Sequence, residues 1–98
     1  MPYTQAQIDA RGRMALLMDE IRTLSRERDN LLRPLRDRLV NALPSDRPRP
    51  DIASALDCQA AGEELAAVAR AEERLAALVA DYNALAQNIG QRELKRGG

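Results

Sequence analysis

The sequence predicts an all-α protein, an antiparallel two-helix hairpin, from three observations. Its apolar residues are mainly Leu and Ala, both strong helix formers, while strand-favouring types are scarce: three Val, four Ile, two Thr, two Tyr and no Phe or Trp in 98 residues. The larger apolar residues recur at steps of three and four along two long stretches, the spacing of one helix face. Between them, Leu43-Pro-Ser-Asp-Arg-Pro-Arg-Pro-Asp51 holds three of the five prolines. The length allows one domain, 1–98, with a first helix at about 4–43, a turn at 44–50, a second helix at about 51–94 and a tail at 95–98.

Thr4 and Gln7 stand at the spacing of a capping box, in which each side chain satisfies a backbone donor of the other, so the first helix starts there. Its apolar stripe is Ile8, Met14, Leu17, Ile21, Leu24, Leu31, Leu35 and Leu39. Arg28 occupies the stripe position between Leu24 and Leu31. Either its stem lies on the seam with the head in water, or it is a buried polar group that meets an acid of the facing helix. Pro34 deletes a backbone hydrogen bond and crowds the preceding turn, so a kink or break is expected near Asn30 to Arg33. Leu35, Leu39 and Leu43 carry the stripe onward, which favours a kinked helix, or a second short helix opening at Pro34, over a loop.

Pro44, Pro48 and Pro50 each push the preceding residue out of the helical region. Asp51 or Ser54 is then expected to cap the second helix, whose stripe is Ile52, Leu56, Leu65, Val68, Leu75, Leu78, Tyr82, Leu85 and Ile89. Gly62 costs about 1 kcal/mol relative to Ala inside a helix and marks a close approach or a soft point. Gly97 and Gly98 end the helix.

Each helix is about 60 Å long, and folding about the turn sets residues whose numbers sum to roughly 94 opposite one another. Leu17 then faces Ala77 and Leu78, and Leu24 faces the Ala69 region, bulk against small side chains. The expected seam is Leu17, Ile21, Leu24, Leu31 and Leu35 against Val68, Leu75, Leu78, Tyr82 and Leu85. Charge agrees: residues 1–43 carry eight Arg and six acids, residues 51–91 seven acids and two Arg. Arg22 is expected near Glu72 and Glu73, and the stretch 28–33 near Glu63 and Glu64, each exposed pair contributing about 0–1 kcal/mol. Asp9 with Arg13, and Asp29 with Arg33, fit helical spacing.

No catalytic constellation is legible, so no enzyme is expected. His is absent, which removes the commonest general base and metal ligand. Phosphate-binding glycine patterns and a Cys pair are missing, so no cofactor, metal or small-molecule substrate is expected. The pairs Asp19-Glu20, Glu63-Glu64 and Glu72-Glu73 read as solvated faces, because adjacent helical residues point about 100° apart. Cys58 stands alone and reads as a small buried helix residue in a reducing compartment. The N-terminus lacks a signal-peptide pattern and the longest apolar runs are too short for a bilayer, so the expected location is cytoplasmic. In length and outline the hairpin is similar to type VII secretion substrates. Their Trp-x-Gly turn is missing here, and the likeness stops at shape.

Two surfaces are candidates for binding. The formal net charge is zero, but Arg dominates from Arg22 to Arg49. Arg22, Arg26, Arg33, Arg36, Arg47 and Arg49 are the residues placed to meet a partner. Glu27, Asp29 and Asp37 interrupt them and no aromatic residue stands by to stack on bases, so a salt-bridged helix face competes with phosphate binding. Leu16, Met18, Leu32, Val40, Leu43 and Val79 lie off the stripes, and such wide apolar faces ask for further helices. A second copy would supply them, making a homodimeric four-helix bundle; another protein would do so by laying a helix in a groove. The expectation is a non-catalytic protein–protein interaction module, a small bacterial or phage-type accessory protein such as an inhibitor, adaptor or assembly factor. The alternative is a nucleic-acid-associated factor using Arg22 to Arg49.

Overall fold

The computed structural model describes residues 3–43 and 55–96. It contains two helices, α1 (Gln5–Ala42) and α2 (Cys58–Asn88), which pack against each other; the described residues include no strand. The capping box forms as the sequence predicts. Gln7 N–H donates to Thr4 Oγ1 at 3.1 Å, and Thr4 N–H donates to Gln7 Oε1 at 2.9 Å. α1 then runs through Pro34 as one helix of 38 residues, so of the expected kink or break, the break and the second short helix do not occur. Proline removes one hydrogen bond and crowds the turn before it, but Pro34 is exposed, where its ring displaces no packed neighbour. Leu43 caps α1 in extended conformation, as a residue ahead of proline must.

The expected turn at 44–50 lies outside the described residues, as do Ile52 and the proposed caps Asp51 and Ser54. α2 instead starts at Asp57, whose Oδ1 accepts from Ala60 N–H at 3.0 Å. It also stops earlier than expected. Gly90 takes φ 67°, Gln91 N–H donates to the Ala86 carbonyl at 2.8 Å, and Gly90 N–H donates to the Gln87 carbonyl at 3.3 Å. This is a Schellman cap, which needs a residue without a Cβ at the left-handed position. Residues 91–96 fold back along the bundle instead of extending α2.

The helices run antiparallel, but in a register different from the expected one. Arg28 meets Glu72 and Arg38 meets Glu64, six and eight residues beyond the positions that a turn centred at 44–50 would give. The cause is the late start of α2: with α1 ending at Ala42 and α2 opening at Cys58, the connection is centred nearer residue 50.

At mid-height Ile21, Leu24, Ala71 and Leu75 form the core, with Leu78, Val79, Tyr82 and Leu94 packed against it. Met14, Leu35, Val68 and Ala86 are buried elsewhere along the seam. Of the remaining seam residues, Leu17 and Leu85 are half-buried, and Leu31 is a correction at 36% exposure. Ile8, Leu39, Leu56 and Leu65, which the stripes included, are also exposed. Nor do most alanines of α2 face α1: Ala66, Ala69, Ala76, Ala77, Ala80 and Ala84 are exposed, and Ala71 and Ala86 are the buried ones. Gly62 has open space around the position of an added Cβ, so no close approach explains it.

The molecule is a rod of 72 × 24 × 16 Å with a radius of gyration of 20.3 Å, against about 13 Å for a compact 100-residue domain. Its accessible surface is 7771 Å², whereas a folded monomer of this size exposes about 5,600 Å². The elongated shape therefore leaves a larger share of the chain in contact with solvent, ten large apolar side chains among the described residues included.

Candidate functional site

Charge is arranged differently on the inner edge and the outer face of α1. At the edge, Arg28 keeps its stem on the seam and its head on an acid of α2: Nη1 donates to Glu72 Oε1 at 2.7 Å, and Nη2 to Asp29 Oδ1 at 3.0 Å. Arg96 from the tail joins the same glutamate, donating to its carboxylate and, at 3.2 Å, to its carbonyl. Arg38 Nε donates to Glu64, whose other carboxylate oxygen is buried without a hydrogen-bond partner. Glu64 and Glu72 are thus half-buried bridges to α1, while Glu63 and Glu73 remain exposed. The reading of both pairs as solvated faces holds for one member of each, and the angular offset between adjacent helical residues is the reason.

The hydrogen bonds of Arg28 and Arg96 hold the Glu72 carboxyl below the usual glutamate range, the bond from Arg28 acting most strongly and desolvation opposing it. The same bond, with that of Asp29, raises Arg28 above its already high value. The expected helix-face pairs do not form: Asp9 accepts from Gln5 and Asp29 from Arg28.

On the outer face, Arg22, Arg26, Arg33 and Arg36 are all exposed. Steps of four, seven and three residues place them within an arc of about 80°, a stripe roughly 21 Å long. Arg36 pairs with Asp37 at 3.1 Å; Arg22, Arg26 and Arg33 form no ion pair among the described residues, so Arg22 does not reach Glu72 or Glu73. Arg47 and Arg49 lie outside the described residues.

Exposed large apolar side chains gather in the half of the hairpin next to the connection: Leu31, Leu32, Leu39, Val40, Leu43, Leu56 and Leu65. Leu43 is 66% exposed and Leu16, further along α1, 67%. In the other half the chain itself closes one groove, while Ile8 and Leu16 stay exposed. Val79 and Met18, expected on open flanks, are half-buried, and Leu94 lies over the groove that they line with Ile21 and Leu75. Asn83 secures that leucine with two reciprocal bonds: its amide donates to the Leu94 carbonyl at 2.9 Å and accepts from the Leu94 N–H at 2.7 Å.

At the open end of the hairpin Arg11 stacks on Tyr3, 4.2 Å from the ring centroid, with its terminal nitrogens beside the Gln91 amide, which offers its oxygen to both when turned end for end. Cys58 is a further correction: it is exposed in the first turn of α2. Sequence reasoning missed the tail contacts because Gln91 to Arg96 contain only good helix formers; the signal was Gly90, which sits where the apolar stripe ends at Ile89.

Among the described residues, no group of three or more Cys, Asp or Glu is placed to hold a metal ion, and no helix is long and apolar enough to cross a membrane. Compared with protein-family models, curated proteins and solved structures, the chain matches none.

Proposed function

We propose that this chain is a non-catalytic protein-interaction module that pairs with a second copy of itself, and that the apolar half next to the connection is the contact surface. The observation that carries this reading is the set of exposed apolar side chains on the half of the rod next to the connection, among which Leu32, Leu39 and Leu43 share one side of α1 within an arc of about 40°. A patch of that kind on a small protein marks a contact surface. A two-fold partner would set two hairpins together as four helices, the arrangement that gives broad apolar faces a common interior. The accessory roles open to such a module are those of an inhibitor, adaptor or assembly factor, which act by occupying a partner's surface. Light scattering tests the reading: a mass of two chains at tens of micromolar supports it, and a single chain across that range refutes self-pairing. Affinity capture from native cells then identifies any further partner.

A second reading rests on a different observation, the stripe of Arg22, Arg26 and Arg33 with no ion pair among the described residues. Such a stripe would track a phosphate backbone by charge alone, and binding would weaken steeply with salt. Titration of double-stranded DNA and RNA at two salt concentrations, with Arg26→Glu/Arg33→Glu as the comparison, decides it. Equal binding by parent and variant removes this reading.

A further inference from the structure

Residues 91–96, Gln-Arg-Glu-Leu-Lys-Arg, are good helix formers without exception, yet they run back over the bundle. One residue separates the two courses. Gly90 sits at φ 67°, a conformation that disfavours any residue with a Cβ. The folded-back course is held by few contacts: Arg11 beside the Gln91 amide, the two Asn83 bonds to the Leu94 backbone, Arg96 on Glu72, Gln87 on Glu93, and the Leu94 side chain against the core. A helix continued through residue 90 turns by roughly 100° per residue, which sets Leu94 on the face of Ala76 and Ala80. Both alanines are exposed, so that course removes Leu94 from the groove and places it on the outer face. The two courses compete for the same leucine.

We infer that residues 91–96 are a detachable strap, closing the groove of Met18, Ile21, Leu75 and Val79 in cis and opening it when α2 elongates through Leu94. The strap sets whether this second apolar surface is available, apart from the contact surface next to the connection. Its readouts need only a single chain, so the device stands or falls independently of self-pairing.

The test uses the full chain with Gly90→Ala, and Gly62→Ala as its control. Both changes favour helix, but Gly62 lies in an exposed stretch of α2 with open space around it and no contact with the tail. Gly90→Ala is expected to raise the far-ultraviolet helix signal by about a tenth, because six residues join the 38 of α1 and 31 of α2. The Leu94 amide is expected to exchange several-fold faster, because its acceptor passes from Asn83 Oδ1 to the carbonyl of residue 90 in the fraying last turn of the helix, and a dye for apolar surface to brighten. Gly62→Ala is expected to leave the Leu94 amide and the dye as in the parent. Asn83→Ala frees the strap without touching Gly90, and should speed Leu94 exchange and brighten the dye even if the glycine variant does not fold. An unchanged Leu94 exchange rate and unchanged dye signal in Asn83→Ala would overturn the inference, as would a folded Gly90→Ala protein with the parent's helix signal.

Discussion

Glu72 and Glu73 are neighbours in sequence and differ in role, because one step along a helix turns the side chain from the seam to solvent. Only Glu72 of the two bridges α1 and the tail, and Arg28 and Arg96 hold its carboxyl low. A carboxyl whose folded value lies below its unfolded value binds its proton more weakly in the native state. Its stabilisation is complete above the ordinary value of 4.5 and is lost as pH falls through the folded value. The urea midpoint is therefore expected to decline as pH is lowered below that point. Glu72→Gln should flatten part of the decline; a slope equal to the parent's would detach the pH response from the bridge. Glycine gives a second prediction at this scale. Gly12 and Gly62 lie inside helices with open space at the Cβ position. Replacing either with Ala should stabilise the chain by about 0.5–1 kcal/mol, read as a higher urea midpoint. A loss on Gly62→Ala would mean that a partner covers that face.

At the scale of the element, the two helices were legible because periodicity and punctuation agree: Thr4 with Gln7 opens α1, and Pro44 forces the extended cap at Leu43. What periodicity cannot show is how much facing side chain a stripe will meet. Leu65 and Leu75 occupy the same predicted stripe, yet Leu75 is 3% exposed and Leu65 57%. Leu75→Ala should cost about 2–4 kcal/mol, from lost burial and the cavity left behind. Leu65→Ala should change the monomer by less than about 0.5 kcal/mol. Similar losses in a dilute sample would contradict the register. The register itself was misread because the three prolines mark where helix is forbidden, not where the next helix begins, and Asp57 decides that. The inner arginines were legible only as alternatives: the spacing put Arg28 on the seam, while the identity of its acid depended on the register.

At the scale of the whole molecule, a rod that exposes about 2,000 Å² more than a compact chain of its size has little interior to hold it together. The tail covers one groove, and nothing among the described residues covers the leucines near the connection. If those leucines meet a second copy, part of the folding free energy is intermolecular, and stability must follow protein concentration by mass action. The melting temperature of the parent is then expected to rise by several degrees as concentration is raised a hundredfold. Leu39→Ser/Leu43→Ser should abolish the dependence, since both side chains are already exposed in the single hairpin and contribute little to its own core. Their loss should leave the helix signal of the dilute protein intact. Leu24→Asp, which puts a charge into the core at a site 8% exposed, should instead unfold the chain at every concentration. The contrast separates contacts that make the hairpin from contacts that pair it. A parent whose melting temperature is flat over that range would leave the exposed leucines to a different protein, and self-pairing would fall.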